Sequence, residues 1–140
     1  MKILTIVVPA YNVEKYLQRC LDSVKLESVM PDIEVLIVND GSKDKTPEIA
    51  AGYERDYPQT YRLINKENGG HGSTINTGIK NAAGKYFKVV DGDDWLNPDE
   101  VERYIEILKT TDADVVATDF QCVQDETYNL LESWQATSIE

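Results

Sequence analysis

Two short apolar runs constrain the fold of this chain more than any other feature of its sequence. Ile3 to Val8 and Ile33 to Val38 are rich in β-branched residues and almost continuously apolar, without the alternation of a half-exposed strand. Such runs are typical of strands that are covered on both faces. Pro9 ends the first run because it has no N–H to donate to a sheet. The sequence therefore predicts a sheet that is buried on both sides.

Segments with helical spacing alternate with these strands. The predicted strands are Ile3–Val8, Ile33–Val38, Tyr61–Ile64, Tyr86–Val90 and Val115–Phe120, and the predicted helices are Val13–Val24, one from Thr46, Thr74–Ala83 and one from Asn97. Asn12 is placed to cap the first helix, and Thr46 to cap the second with Pro47 at its first position. Thr127 to Leu131 fits either an edge strand or a short helix.

This order of elements predicts a mixed α/β fold with a mostly parallel central sheet and helices on both faces. No linker or internal repeat interrupts the 140 residues, so we expect one domain. Ligands of such sheets bind at the carboxyl ends of the strands. The unusual loops of the sequence all follow predicted strands, which places them on one edge.

The charge balance limits the partners of this chain. Lys and Arg total 14 against 25 Asp and Glu, which gives a net charge of −11. Surfaces that bind nucleic acid are basic, so this balance argues against nucleic acid as a partner. It is compatible with a nucleotide ligand, because a bound metal ion supplies local positive charge.

The cysteines and the lengths of the apolar segments bear on the compartment. Cys20 and Cys122 lie far apart in apolar surroundings, which predicts two buried thiols in a reducing compartment rather than a disulfide or a metal pair. The longest early apolar run, Ile6 to Ala10, is too short for a signal-peptide core or a membrane span. We therefore expect a cytoplasmic protein with no membrane segment in this chain.

The segment Asp91-Gly92-Asp93-Asp94 places three carboxylates in four residues directly after a predicted strand. Ionised carboxylates repel at such spacing unless a cation lies between them. Oxygen ligands of this kind suit Mg²⁺ or Mn²⁺, usually shared with substrate phosphates. In an extended conformation Asp91 and Asp93 point the same way and Asp94 the opposite way. We favour a ligand role for Asp91 and Asp93 over an acidic turn that caps the next helix.

Two other strand ends carry weaker signals. Tyr11 either stacks on a flat heterocycle at the edge of the sheet or packs half-buried on the next helix. Asp40, before Gly41-Ser42, either accepts a hydrogen bond from a nucleotide or caps its own turn. The residues alone leave both alternatives open.

The Gly-rich segment from Asn68 to Thr74 matches no standard phosphate-binding loop, since it lacks the P-loop lysine and the dinucleotide-binding spacing. Its N–H groups lie at a predicted helix start, where they attract anions. His71 is the only histidine. A lone loop histidine is more often a polar surface residue than a phosphate donor or a base.

Four segments occur in a fixed order over residues 3 to 98. They are Thr5-Ile6-Val7-Val8-Pro9-Ala10-Tyr11-Asn12, Glu34 to Ser42 with Asp44 and Thr46, Asn68-x-Gly70 through Asn76-x-Gly78-Ile79, and Ala83-Gly84-Lys85-Tyr86 leading to Asp91-Gly92-Asp93-Asp94. In this order they resemble the nucleotide-binding half of family 2 glycosyltransferases. The resemblance implies a Rossmann-like GT-A fold, with residues 1–140 as one nucleotide-sugar-binding domain at the N-terminal part of a longer enzyme.

The resemblance also implies roles for individual residues. Tyr11 and its neighbours would line the pocket for the base, and Asp40 would accept from that base, most often uracil. Asp91 and Asp93 would be the Asp-x-Asp motif that holds Mn²⁺ or Mg²⁺ against the pyrophosphate. The implied donor-binding set is Pro9, Ala10, Tyr11, Asn12, Asp40, Gly41, Ser42, Asn68, Gly70, His71, Asp91, Gly92 and Asp93.

The implied reaction is metal-dependent, inverting transfer from a nucleotide-sugar, most often a UDP-sugar, to a saccharide or lipid-linked acceptor, in polysaccharide or cell-wall synthesis. Two departures from the family stand out. Ile75 replaces the Arg that commonly precedes Asn76, and we hypothesise that His71 supplies the lost donor contact. The later carboxylates Asp119, Asp125 and Glu126 match no base motif, so no catalytic base is assigned. We expect the chain to lack the base and the acceptor site.

Two other function classes remain as alternatives. A sugar nucleotidyltransferase needs a basic Gly-rich loop near its first strand. A phospho-acceptor signalling domain needs an acidic pair there. This chain has Pro9-Ala10-Tyr11-Asn12 at that position, which disfavours both.

Overall fold

The computed structural model describes residues 1–124 and 127–134. Their contacts divide the chain into two compact units, residues 1–110 and 111–140. The strands are β1 (Leu4–Ala10), β2 (Ile33–Asp40), β3 (Tyr61–Lys66), β4 (Tyr86–Val89), β5 (Phe120–Val123) and β6 (Leu130–Trp134). The helices are α1 (Leu17–Asp22), α2 (Thr46–Asp56), α3 (His71–Asn81) and α4 (Pro98–Thr110), with a short 3₁₀ helix at Met30–Asp32. The expectation of one domain over 1–140 stays a prediction.

The first unit is built on a four-stranded parallel sheet in the order β3-β2-β1-β4. All seven residues of β1 are buried, and seven of the eight residues of β2 are. A central strand with no exposed position has both faces covered. The predicted α/β class with a parallel sheet is therefore confirmed. The carboxyl ends of the strands, at Ala10, Asp40, Lys66 and Val89, lie along one edge.

Helix α3 approaches the sheet closely because of a glycine. It packs on β1 and β2, and a Cβ atom on Gly78 would lie 2.4 Å from Cγ2 of Val7. No side chain fits there without displacing the helix. Helix α4 buries one apolar face, Val101, Ile105 and Leu108. Lys109 at its end pairs with Asp32 at 2.9 Å.

The helix starts differ from the predictions, and the two predicted caps are wrong. Asn12 adopts a left-handed conformation (φ 51°), and α1 begins only at Leu17. Thr46 is the first residue of α2 rather than its cap. The physical reason is that both side chains have other partners, since Asn12 Oδ1 accepts from Lys43 N and Thr46 Oγ1 from Val13 N. The N–H of Thr46 is instead bound by Asp44 Oδ1 at 3.0 Å.

The described part of the second unit contains an antiparallel hairpin of β5 and β6. The predicted strand Val115–Phe120 is wrong, since the strand begins at Phe120 and Val115 is 83% exposed. An edge strand is the correct alternative for the segment near Leu130. Cys20 is buried as predicted, but Cys122 is exposed, because in the part of the chain that the structure describes its strand pairs with β6 alone.

No helix among residues 1–124 and 127–134 combines the length and apolar character needed to cross a bilayer.

The packing of α3 predicts opposite effects for two glycines of that helix. Gly78→Ala should lower the free energy of unfolding by about 1–3 kcal/mol, because the new methyl overlaps Val7. Gly72→Ala is the matched control, since its Cβ would meet nothing within 4 Å, and it should raise the free energy of unfolding by about 0.4–1 kcal/mol. Urea unfolding measures both. Equal effects would contradict the close approach.

Candidate functional site

A cavity of about 440 Å³ opens at the carboxyl ends of the parallel strands. It is lined by Pro9, Ala10, Tyr11, Val13, Asp40, Asn68, Gly70, His71, Thr74, Asp91, Gly92 and Asp93. Ten of these are residues of the predicted donor-binding set, and Val13 and Thr74 are additions. A larger cavity, of about 550 Å³, lies near the amino ends of the strands between Lys2 and Thr60, far from the acidic segment. The carboxyl-end cavity is the one lined by the acidic segment and by the predicted donor-binding residues.

Reciprocal hydrogen bonds join the loops after β1 and β2. Each loop uses side chains to bind backbone N–H groups of the other. The bonds run from Asn12 N to Ser42 Oγ (3.0 Å), Val13 N to Thr46 Oγ1 (2.9 Å), Glu14 N to Asp44 Oδ2 (3.1 Å), Lys43 N to Asn12 Oδ1 (2.9 Å) and Lys45 N to Glu14 Oε2 (3.0 Å). These bonds fix the backbone beside Tyr11, a residue that is 49% exposed and lines the cavity.

Asn12, Gly41 and Ser42 are the predicted site residues that do not line the cavity. Asn12 and Ser42 take part in the loop bonds just described. Gly41 has φ 73°, and its Cβ would lie 3.0 Å from Asn68 N, so it permits the close approach of the Gly-rich loop. Their contacts within the protein explain their residue types, and their contact with a donor stays a prediction.

Asp40 organises the Gly-rich loop. Its carboxylate is buried and accepts from Gly69 N (2.9 Å), Gly70 N (3.0 Å) and Lys66 Nζ (2.9 Å). Lys66 also donates to Ser73 Oγ in the first turn of α3 at 2.8 Å. Of the two alternatives for Asp40, the cap on its own turn is not what forms, because the carboxylate binds a different loop. These bonds join the end of β2 to the start of α3.

The pKa of Asp40 reflects this environment. Burial by itself raises the pKa of a carboxyl group. Hydrogen bonds from Lys66, Gly69 and Gly70, together with the Lys66 charge, outweigh burial and hold the pKa of Asp40 below its ordinary value. The carboxylate is therefore ionised at neutral pH, and this ionisation stabilises the fold.

The acidic loop brings three carboxylates together. Asp91, Asp93 and Asp94 each offer an oxygen within 4.8 Å of the others. The prediction that Asp94 points away is wrong, because Asp94 N donates to Asp91 O (2.8 Å) in a turn, so the segment is not extended. Burial and the neighbouring charges of Asp93 and Asp91 raise the pKa of Asp94, against the opposing effect of Arg19. The acidic loop therefore concentrates negative charge in a small space.

Gly92 permits a close approach of the acidic loop to the end of β1. It is buried, and Gly92 N donates to Pro9 O at 3.0 Å. A Cβ there would lie 2.9 Å from Val13 Cγ2 and 3.1 Å from Pro9 O. Glycine is therefore required by the contact between the acidic loop and the end of β1.

His71 is the first residue of α3, and its Nε2 atom lies 2.7 Å from Asp91 Oδ1. The imidazole is thus hydrogen-bonded to one of the three clustered carboxylates. It also lines the cavity and stays accessible, with a side chain that is 59% exposed. The prediction that a lone loop histidine is a simple surface residue is incomplete, because the fold brings it to the acidic loop.

Cys20 of α1 lies behind the acidic loop, with its Sγ atom 3.7 Å from Asp91 O. Burial, reinforced by the charges of Asp94, Asp93 and Asp91, raises the pKa of this thiol to about 12. Cys20 is therefore a neutral S–H donor to the loop at neutral pH.

Sequence reasoning missed Lys66 and Asp94. Lys66 pairs in register with Asp40 across β2 and β3, so an alignment of the strand ends would have placed the two charges side by side. The position of Asp94 beside the other two carboxylates follows from a backbone turn at Asp91, and the residue types do not specify that turn.

Comparison with known proteins decides the family. The sequence model described as "Glycosyl transferase family 2" matches residues 5–138 of this chain. The chain belongs to glycosyl transferase family 2. Its place in this family agrees with the predicted order of motifs and disfavours the nucleotidyltransferase and signalling classes.

Relatives in glycosyl transferase family 2 are considerably longer than this chain. The uncharacterised glycosyltransferase EpsJ of Bacillus subtilis is 41% identical over 119 residues, which cover 84% of this chain and 34% of EpsJ. GlyA of Streptococcus pneumoniae is 39% identical over 118 residues, 84% of this chain and 16% of GlyA. The chain thus spans about a third or less of these relatives.

Solved structures of similar fold include those of TarS and of a mannosyltransferase. S. aureus TarS 1-349 in complex with UDP-GlcNAc has a TM-score of 0.65 and 29% identity, over 78% of this chain and 31% of TarS. The mannosyltransferase PcManGT from Pyrobaculum calidifontis, in complex with GDP-Man and Mn²⁺, has a TM-score of 0.66 and 25% identity, over 86% of this chain and 35% of PcManGT. The predicted GT-A fold is confirmed.

The Asp40 contacts predict a pH-dependent loss of stability. A carboxyl group whose folded pKa is depressed stabilises the fold fully above its unfolded pKa, about 3.9, and the stabilisation is lost as pH falls through the lower folded value. Asp40→Asn should therefore lower the free energy of unfolding at pH 7 by about 1–3 kcal/mol, and this difference should shrink below about pH 4.

Urea unfolding between pH 3 and pH 7 measures this difference. Asp112→Asn, at an exposed position, is the control and should change stability little at any pH. A constant difference for Asp40→Asn across this range would show that its charge is unimportant.

Proposed function

We propose that this chain binds a nucleotide-sugar donor in the carboxyl-end cavity, as part of a protein that transfers the sugar to an acceptor hydroxyl. The observation that carries the proposal is the convergence of Asp91, Asp93 and Asp94 beside that cavity, with oxygens within 4.8 Å of one another. The similar structures of TarS with UDP-GlcNAc and of PcManGT with GDP-Man support a donor of this class.

The donor atoms of the acidic loop fit a divalent cation. They are carboxylate oxygens, the ligands that Mg²⁺ and Mn²⁺ prefer, and PcManGT is described with Mn²⁺. We propose Asp91 and Asp93 as the holding residues, with Asp94 in reach. When bound, such a cation would neutralise the charge that develops on the departing nucleoside diphosphate.

The remaining acceptor capacity of Asp40 favours a pyrimidine base. A carboxylate has about four lone-pair sites, and Gly69, Gly70 and Lys66 occupy three of them. One site remains, which suits the single N–H of uracil rather than the adjacent donors of guanine. The exposed ring of Tyr11 offers a surface on which the base can stack. We therefore propose a UDP-sugar as donor.

The start of α3 suits the diphosphate. The amino end of this eleven-residue helix faces the cavity through Gly70 and His71, and helix amino ends attract anions. The His71 imidazole can donate to a phosphate oxygen, in place of the arginine that Ile75 replaces. This arrangement orients the donor without a P-loop lysine.

We propose that transfer inverts the anomeric centre by direct displacement, with a base removing the proton of the acceptor hydroxyl. No described carboxylate is assigned as that base, and Asp125 and Glu126 lie outside the described residues. The acceptor, a saccharide or a lipid-linked saccharide, belongs to the proposal for the whole protein, as does polysaccharide or cell-wall synthesis. Cys20 and Cys122, both free thiols, support a cytoplasmic setting.

The metal role of Asp93 predicts a Mn²⁺-dependent loss of binding. The unaltered chain should bind UDP with Mn²⁺ more tightly than without it, and more tightly than GDP. Asp93→Asn should weaken the Mn²⁺-dependent binding of UDP at least tenfold, roughly the cost of disturbing a metal site. Isothermal titration calorimetry with UDP, GDP and TDP, with and without Mn²⁺, measures this.

Glu102→Gln on the exposed face of α4 is the control, because it removes one negative charge away from the cavity. It should leave UDP binding unchanged. Binding of UDP that does not depend on Mn²⁺ would overturn the metal part of the proposal.

A separate substitution tests the donor contact of His71. His71→Ala should reduce UDP affinity in the presence of Mn²⁺ by about tenfold or more, the worth of one hydrogen bond to a charged group. His71→Gln, which keeps an N–H donor, should lose less. Unchanged affinity in His71→Ala would show that the histidine does not meet the donor.

A further inference from the structure

Three side chains from the end of α1 hold the acidic loop. Arg19 Nη2 donates to Asp93 O (3.2 Å), Cys20 Sγ to Asp91 O (3.7 Å), and Ser23 Oγ accepts from Leu96 N (3.2 Å). All three contacts are made to backbone atoms of the loop, so they fix its path and leave its carboxylates available.

Arg19 makes a second contact with the same loop. Its guanidinium carbon lies 3.8 Å from the ring centroid of Trp95, within the range of a cation–π contact. A planar guanidinium can stack flat on a ring and donate in its own plane at the same time, a geometry that the compact lysine ammonium does not reproduce. Arg19 therefore contacts both the Asp93 carbonyl and the side chain two residues later.

We infer that Arg19 is a positioning residue, which sets the convergence of Asp91, Asp93 and Asp94 by anchoring the loop at Asp93 and Trp95. The inference rests on the proposed function, in which this loop binds a divalent cation. Three carboxylates that converge repel one another, so the loop needs an anchor when no cation is bound. Arg19 supplies one through its bonds and reduces the repulsion through its charge.

The two possible roles of Arg19, as a nearby positive charge or as an anchor of the loop, predict opposite changes in Mn²⁺ affinity when Arg19 is removed. A positive charge near the carboxylates repels a divalent cation, so removal of Arg19 would strengthen Mn²⁺ binding if its charge were its only effect. Positioning predicts weaker binding, because the carboxylates would no longer be held together. The direction of the change in affinity therefore separates the two roles.

The experiment compares Arg19→Met with Lys15→Met, which removes one positive charge from an exposed position just before α1. Calorimetric titration with Mn²⁺ alone should show affinity reduced by about tenfold in Arg19→Met, a usual effect of losing an outer contact of a metal site. Lys15→Met should bind as the unaltered chain does. Equal or tighter Mn²⁺ binding in Arg19→Met would overturn the inference.

Hydrogen exchange without metal gives a readout that is independent of the proposed function. The amides of Asp94 and Leu96, which donate to Asp91 O and Ser23 Oγ, should exchange at least tenfold faster in Arg19→Met, while the buried β1 amides keep their rates. Arg19→Lys, which keeps the charge, should also exchange faster. Unchanged loop rates, or full rescue by lysine, would overturn the inference. If the unaltered chain binds no Mn²⁺, the metal proposal fails and exchange alone decides the role of Arg19.

Discussion

The parallel register of β1, β2 and β3 is the constraint on which the rest of the molecule depends. It aligns Ala10 with Asn39, and Asp40 with Lys66, at the ends of neighbouring strands. Strands β1 and β2 are buried along almost their full length, and a slip of one strand by two residues would move the loop that follows it by about 7 Å. Loops distant in sequence therefore meet at one edge because the core fixes where each strand stops.

Around that edge, two kinds of carboxylate serve different ends. Asp40 is buried, ionised and supplied with donors from the Gly-rich loop and Lys66, so its charge is largely satisfied within the protein. In the acidic loop, by contrast, the carboxylates lie close to one another, and the pKa of Asp94 is raised. Asp40 thus forms part of the wall of the cavity, whereas the acidic loop concentrates negative charge beside it.

The sequence predicted what depends on pattern and missed what depends on backbone direction. Continuous apolar runs identified the buried strands, and the loops after them were correctly expected on one edge. The predicted caps at Asn12 and Thr46 are wrong because these side chains accept hydrogen bonds from N–H groups of other loops. The predicted direction of Asp94 is wrong because a turn replaces the extended backbone. The predicted burial of Cys122 is wrong because, among the described residues, its strand β5 pairs with β6 alone.

The glycine contact between α3 and β1 also governs geometry at a distance. Gly78 lies seven residues from His71, about 10 Å along the helix axis. An α-helix transmits displacement as a stiff rod, so pressure from a side chain at Gly78 would pivot its amino end relative to Asp91. The absence of a side chain at Gly78 thus helps to set the distance of 2.7 Å between His71 Nε2 and Asp91 Oδ1.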